Sequence, residues 1–341
     1  MSIKATATQV AESRLGKSIV VLALCAVLAC MGLAGCSSTS SNSSSSQKSS
    51  GAAASESSYT FTDDLGNQVT VDNPQRVVAC MGSFANIWQL AGGTLVGASN
   101  DAFTYTDYGI DASSVAEVGD FSNLSLESII DLNPDFVIMT GSTTGRGSGV
   151  SQQDFKDSLE SSGIPVAYFT VTTFDDYLRM LRTCCDITGD EQAYQKNGQA
   201  VSDQIDKIVA SVPKDKSASV MLLTTYSRGT TVQNSSTMTG DMLKDLGAVN
   251  LADQNPSLLS DFSLESIIEA NPDYILLIPM GNDAAAATRN LQEATDANPA
   301  WSTLSAVQNG HYITLDPNLF QYKPCNRWAE SYQTLYNILY A

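Results

Sequence analysis

Histidine is all but missing from this chain: His311 is the only one in 341 residues. That removes zinc or manganese sites built from several imidazoles and leaves imidazole acid–base catalysis a single candidate. Cationic side chains are also scarce, with 18 Lys and Arg against 36 Asp and Glu and a net charge of −18. A chain so acidic does not bind nucleic acid or an anionic membrane surface by charge. Cysteine is sparse and badly spaced for metal: beyond residue 36 there are only Cys80, Cys184, Cys185 and Cys325, in no zinc pattern. In an exported chain some of these could pair, and Cys80 beside Met81 could offer soft ligands to iron or copper, although a buried core role suits Cys80 better. No Gly-x-Ser-x-Gly motif, histidine pair or coupled nucleophile and base occurs. The glycines between Gly141 and Gly149 fit neither the dinucleotide fingerprint nor the P-loop, which ends in Lys-Ser or Lys-Thr, and read as a flexible rim.

What is present begins with a leader. Lys4, Arg14 and Lys17 precede an apolar run from Ile19 to Met31, followed by Leu33-Ala34-Gly35-Cys36. A basic start, a short apolar stretch and small residues before a cut site describe a secretory signal, too short for a comfortable membrane span. The Leu-Ala-Gly-Cys run resembles a bacterial lipobox, which implies cleavage before Cys36 and a lipid on its sulfur. Residues 36–58 are more than half serine, with Ala, Gly, Asn and a few charges making up most of the rest, and cannot bury enough apolar surface to fold. As a flexible coil this tether spans roughly 25 Å root-mean-square.

The folded part is organised around a stretch that occurs twice. Ser125-Leu126-Glu127-Ser128-Ile129-Ile130-Asp131-Leu132-Asn133-Pro134-Asp135-Phe136-Val137-Ile138 recurs as Ser263-Leu264-Glu265-Ser266-Ile267-Ile268-Glu269-Ala270-Asn271-Pro272-Asp273-Tyr274-Ile275-Leu276. Each copy opens with a serine suited to accept a backbone N–H and places a glutamate in the first turn, where the helix dipole favours it. Proline then stops the helix, and an apolar run suits a parallel strand buried on both faces. The copies are too far apart for a solenoid, so the repeat predicts two similar lobes.

Read in order, a hairpin over Tyr59–Val71 leads to strands at Arg76–Cys80, Leu95–Ala98, after the first repeat, and at Val166–Phe169, each followed by a helix or by a loop into one. That alternation produces a doubly wound parallel sheet. A long helix from Asp190 to Val212, interrupted only by Gly198, is expected as a stiff rod about 30 Å long. The second lobe repeats the logic from Val220–Leu223, through the second repeat and His311–Leu315, to a closing helix at Trp328–Tyr340. The expected divisions are a signal at 1–35, a tether at 36–58, lobes at 59–188 and 214–341, and the interlobe helix at 189–213.

Several separated stretches now match one family. Asp64-Leu65-Gly66, Pro74-Gln75-Arg76-Val77-Val78, the run from Gly93 to Gly97, both repeats, Gly247-Ala248-Val249-Asn250 and Asn298-Pro299-Ala300-Trp301 with Val307-Gln308-Asn309-Gly310 resemble periplasmic-binding-protein-like receptors of iron-siderophore and cobalamin importers. The resemblance runs from about residue 59 to the end. It implies an α/β, class III periplasmic-binding-protein fold: two Rossmann-like lobes with mostly parallel sheets, bridged by one long helix, with the ligand in the cleft. It also implies delivery to an ATP-binding-cassette (ABC) permease, docked through a glutamate on each lobe, and Glu127 and Glu265 occupy those positions.

Ligands of open α/β sheets bind beyond the carboxyl ends of the strands. The loops there carry Met81, Phe84, Tyr105, Tyr108, Thr143 and Arg146 in the first lobe, and Tyr226, Arg228, Met280, Phe320, Tyr322 and Arg327 in the second. Aromatic walls with a few cations suit a greasy chelate bearing acidic groups. Tyr105 and Tyr226 carry phenols able to ligate iron. The expected cargo is a ferric siderophore, with a corrinoid or haem as the alternative and no intrinsic cofactor or resident metal. The expected partners are the permease and the membrane holding the lipid anchor, with the chain a monomer. A surface enzyme or a ligand sensor on the same scaffold is the competing reading.

Overall fold

The duplicated stretch builds the same local structure twice. In the computed structural model, which describes residues 58–341 except 105–107, 143–150, 261 and 282, it forms helices Leu126–Asp131 and Leu264–Ala270. The leader, Cys36, all but the last residue of the tether, Tyr105, Thr143 and Arg146 lie outside the described residues. The Ser125 hydroxyl oxygen accepts the Ser128 N–H at 3.1 Å, and Ser263 accepts that of Ser266 at 3.2 Å. Both helices stop at an asparagine in the left-handed region, Asn133 at φ 46° and Asn271 at φ 39°. The following proline bars the α region to that residue, and asparagine tolerates the left-handed one. The aspartate after each proline has a further role. Asp135 accepts the N–H groups of Gln75 and Arg76, both at 2.8 Å, and Asp273 accepts the N–H of Ser219 at 2.8 Å. Each carboxylate thus pins the amino end of the neighbouring parallel strand.

Strands β1 (Ser58–Thr62) and β2 (Gln68–Asp72) form an antiparallel hairpin. Its turn is closed by Asp63, which accepts from Leu65 and Asn67 and reaches across to the N–H of Tyr168 at 3.1 Å. The first five-stranded sheet comprises β3 (Val77–Ala79), β4 (Leu95–Ala98), β5 (Ala116–Glu117), β8 (Phe136–Thr140) and β9 (Val166–Phe169), with a small ribbon of β6 (Gly119–Asp120) and β7 (Asn123–Leu124) beside it. The order is β5-β4-β3-β8-β9, all parallel. Alternate residues of β8 face opposite cores, Phe136 and Ile138 on one side, Val137 and Met139 on the other. Both faces are covered, as a doubly wound sheet requires.

The second sheet contains β10 (Ser219–Tyr226), β11 (Gly229–Gln233), β12 (Val249–Asn250), β13 (Tyr274–Pro279) and β14 (Tyr312–Thr314). Its order is β11-β10-β13-β14, with β12 alongside the start of β10. The two copies of the repeat therefore feed different sheets. One expectation is corrected here: the segment after Tyr226 does not run through a loop into a helix but makes a tight turn into the antiparallel strand β11. Thr230-Thr231-Val232-Gln233 alternates with the period of a strand, and Val232 turns into the core.

The passage between the sheets runs through helix Phe174–Thr188 and then a helical stretch from Glu191 to Ala210. That stretch is not uniform: Gln195–Gln199 is a π-helical turn. Gly198 lies in it, where an added methyl would come within 3.1 Å of the Tyr194 ring and 3.2 Å of Leu181. Asn197, buried in the same turn, donates to Leu90 O at 2.8 Å, and its carbonyl accepts from the Tyr177 hydroxyl at 2.7 Å. The final helix, Trp328–Tyr340, packs against the second half of the passage. One continuous apolar core includes the Phe136 face of the first sheet, the Leu222 face of the second, and Phe174, Val201, Ile205, Trp328 and Leu335 between them.

Candidate functional site

In each sheet the strand order reverses once, between β3 and β8 in the first and between β10 and β13 in the second. The crevices at such switch points, outside the carboxyl ends of the strands, are where open α/β sheets bind ligands. β3 leaves its crevice through Cys80 and Met81 into helix Gly82–Leu90. Gly82 is required there, because a methyl at that position would sit 2.6 Å from the backbone nitrogen of Ala102. Its N–H donates to the Asp101 carboxylate at 2.8 Å, and the Ser99 hydroxyl donates to the other oxygen at 2.5 Å. Burial raises the Asp101 pKa, and these two hydrogen bonds only partly oppose it.

The ends of β3 and β8 are stitched together by one buried amide. The side-chain oxygen of Gln152 accepts the Thr140 N–H at 2.9 Å, while its nitrogen donates to Cys80 O at 2.8 Å and Phe121 O at 3.1 Å. In the second lobe, Met280 follows β13 and its N–H donates to Thr225 O at 2.7 Å.

Between these two crevices lies a cavity of about 790 Å³ lined from both lobes. Its apolar surface comes from Met81, Phe84, Phe121 and Val171 on one side and Met280 and Tyr322 on the other. Polar groups are supplied by Ser83, Tyr108, Thr140, Ser142, Thr170, Thr172, Gln233, Ser236, Thr237 and Gln321, and formal charge by Asp101 and Lys323. A smaller cavity of about 150 Å³, reaching Thr224, Ile278 and Phe320, shares Thr172, Gln233, Thr237, Gln321 and Lys323 with it.

Of the residues singled out in sequence, Met81, Phe84, Tyr108, Met280 and Tyr322 meet on this cavity. Tyr226, at the exposed end of β10, Arg228 in the turn beyond it, and Arg327 do not line it. Arg327 instead makes a two-pronged ion pair with Glu330 at 2.8 and 2.9 Å, which raises its own pKa and lowers that of the glutamate. Lys323 is the only basic side chain among the described residues that line the cavity.

The lone histidine is far from this chemistry. His311 stacks on Tyr274 with ring centroids 4.2 Å apart, and its Nδ1 lies 3.0 Å from Asp273 O, at the amino edge of the second sheet. Cys80, Cys184, Cys185 and Cys325 are all free and buried. Burial pushes the Cys185 thiol up to about 11 and the other three higher still. Among the described residues, no group of three or more His, Cys, Asp or Glu side chains could hold a metal ion.

Glu127 and Glu265 are both exposed in the first turns of their helices. A helix that returns the chain to the amino edge of a parallel sheet starts near the carboxyl edge, so both glutamates stand on the rim at the cleft side of their lobes. The Ser263 hydroxyl donates to the Glu265 carboxylate at 3.0 Å; hydrogen bonds from the Glu265 N–H and then from this hydroxyl hold the carboxyl below its ordinary pKa.

Two doubly wound lobes whose strand ends look onto a shared cavity define a bilobal solute-binding protein. The chain is matched over residues 77–319 by the family model for periplasmic binding proteins, and it belongs to that family. It is 24% identical over 294 residues to the Fe(3+)-citrate-binding protein YfmC of Bacillus subtilis (strain 168), covering 85% of this chain and 87% of that one. It is 27% identical over 310 residues to the iron(3+)-hydroxamate-binding protein FhuD of the same organism, covering 86% and 88%. Among solved structures, the periplasmic heme binding protein HutB of Vibrio cholerae aligns with a TM-score of 0.62 at 23% identity, over 78% of this chain and 99% of that one. The chain is thus a substrate-binding protein of the kind that serves importers, and not an enzyme. Among the described residues no helix is long and apolar enough to cross a membrane.

Proposed function

We propose that the protein captures a ferric chelate in the cavity between its lobes and delivers it to an ABC permease, held at the outer face of the membrane by a lipid on Cys36. The observation that carries this reading is the cavity itself. At about 790 Å³ it falls within the size range of small-molecule sites, and its thioether and aromatic walls interleaved with hydroxyls and amides suit an organic chelate better than a bare ion. The names of the two relatives from Bacillus subtilis support iron as the cargo.

Delivery rests on Glu127 and Glu265, two carboxylates on matching helix starts at the cleft-side rim, which would dock on cationic groups of the permease and fix the orientation of the complex. Haem is the second reading, favoured by Met81 and Met280, which line the cavity from opposite lobes and carry thioethers, soft ligands for haem iron.

Equilibrium dialysis of the purified protein against ferric citrate, ferric hydroxamates, haemin and cobalamin tests the proposal. Retention of an unaltered ferric chelate supports it. Retention of haemin or cobalamin alone transfers the assignment to that ligand, and retention of none defeats it.

A further inference from the structure

Lys323 is the one basic side chain on the cavity wall among the described residues, and it is placed with unusual care. It lies on the second-lobe side, at the junction of the large and small cavities. Its backbone carbonyl accepts from the Tyr108 hydroxyl of the first lobe at 3.4 Å and from the Cys325 thiol, also at 3.4 Å. Cys325 is buried, sits in the left-handed region at φ 51°, and directs its thiol to Ser83 O at 3.5 Å as well. A non-glycine residue held there is strained, and the strain persists only because surrounding structure dictates the loop.

The ammonium has no hydrogen-bond or ion-pair partner among the described residues. Asp101, the nearby carboxylate, has both oxygens taken up by Gly82 N and the Ser99 hydroxyl. Desolvation lowers the Lys323 pKa, as expected for a cation taken from water without a counter-ion. A second polar group is unmatched in the same cavity: the Ser83 hydroxyl is buried, lines the wall and has no partner among the described residues. A half-buried ammonium without a counter-ion and a buried hydroxyl without an acceptor among the described residues are each costly alone, and both become favourable once an anionic group accepts from them.

We propose that Lys323 and Ser83 form an anion subsite that takes a carboxylate of the bound chelate, so that the protein favours a carboxylate-bearing iron complex over one that lacks free carboxylates. The proposal rests on the reading of the cavity as a chelate site and deepens it. Among the described residues the wall carries one lysine and one already engaged aspartate, so the subsite formed by Lys323 and Ser83 matches a single carboxylate.

The test compares wild type, Lys323→Met, Lys323→Arg and Ser83→Ala for binding of ferric citrate and haemin, which carry carboxylates, and of a neutral ferric trihydroxamate, which carries none. Lys323→Met keeps the apolar stem and should weaken the carboxylate ligand by about 10- to 100-fold, the range of a charge-assisted hydrogen bond in a desolvated site. It should leave the trihydroxamate unchanged and the melting temperature equal or higher. Lys323→Arg should retain most of the affinity, and Ser83→Ala should lose a smaller factor on the same ligands only.

Equal weakening of both classes, no weakening of either, or a fall in melting temperature with the loss would make Lys323 structural and overturn the subsite. Wild type that binds the trihydroxamate and neither carboxylate ligand overturns the subsite and leaves the chelate reading standing. Wild type that binds none of the three removes the chelate reading and the subsite with it.

Discussion

Replacing Gln152 by leucine should be among the most damaging single changes near the cleft that touch no ligand. The substitution keeps the size of a side chain that is only 1% exposed, and removes every polar atom through which it joins the ends of β3 and β8. Three backbone groups lose their partner: Thr140 N–H, Cys80 C=O and Phe121 C=O. A buried polar group left unsatisfied costs about 1–3 kcal/mol. The Phe121 bond is only part-buried, so the two fully buried groups dominate and the sum is about 2–6 kcal/mol, a large share of the 5–15 kcal/mol typical of whole domains. Urea unfolding should show this as a lower midpoint with an unchanged slope. Because Thr140 and Phe121 line the cavity, affinity for the ligand should fall as well. Gln152→Glu retains the acceptor for Thr140 but sets a carboxylate against two carbonyls, which raises its folded pKa above the unfolded value. Its defect should therefore be full at neutral pH and shrink as the pH drops through that raised pKa. A loss below about 1 kcal/mol for Gln152→Leu would refute the claim that this amide holds the crevice.

Two further outcomes follow from the same geometry. Alanine at both Glu127 and Glu265 should leave ligand affinity within about twofold, since both are exposed rim residues, yet abolish uptake through the permease; loss of binding instead would move them into the cleft. Asp176 caps helix Phe174–Thr188 by accepting the Thr172 and Thr173 N–H groups, both at 2.9 Å, and pairs with Arg179 at 2.8 Å. Desolvation pushes its pKa up but is outweighed by the Arg179 hydrogen bond and the two amides, so the net shift is downward. A carboxyl depressed on folding stabilises above its unfolded pKa, near 3.9, and loses that contribution as the pH falls through the lower folded value. Asp176→Asn should accordingly cost about 1 kcal/mol at pH 7, the worth of a carboxylate at a helix start with one partly exposed arginine pair, and converge with wild type as the pH falls below that lowered pKa, as read from urea midpoints across pH; a difference that persists in acid would contradict the assignment.

How much was legible in sequence follows from which interactions are local. The repeat declared its helix caps, its stops and its buried strands, because each depends on residues a few positions apart. Arg327 and Glu330 also had readable spacing, three apart on a helix start, yet scarcity of basic residues made the arginine look like a ligand group. The strand β11 beyond Tyr226 and Arg228 was missed for a different reason: a strand-then-helix rhythm that held through the first lobe was extended over Thr230–Gln233, whose alternation marks a strand. Gln152 carried no signal at all, since its three partners lie 12, 31 and 72 residues away. Lys323 sat beside Tyr322, which was singled out, but nothing local distinguishes a lysine facing a cavity from one facing solvent. The same holds for Asp135 and Asp273, whose duplication was plain while their task, pinning strands 54 to 60 residues away, was not.

The shared core also constrains how the cleft can work. Two lobes joined by flexible strands can swing widely, whereas here the Phe136 and Leu222 faces belong to one apolar body that includes Phe174 and Trp328, whose rings meet edge-on with centroids 5.9 Å apart. A large rotation would expose that body to water at about 25 cal/mol per Å², so that opening a few hundred Å² costs several kcal/mol. Capture must then come from side chains and rim loops adjusting around a largely preformed cavity. It follows that the radius of gyration in solution should change by no more than about 1 Å when ligand binds. A larger contraction, measured by small-angle scattering with and without saturating ligand, would mean that the core between the lobes parts and that the cavity described here is only its closed form.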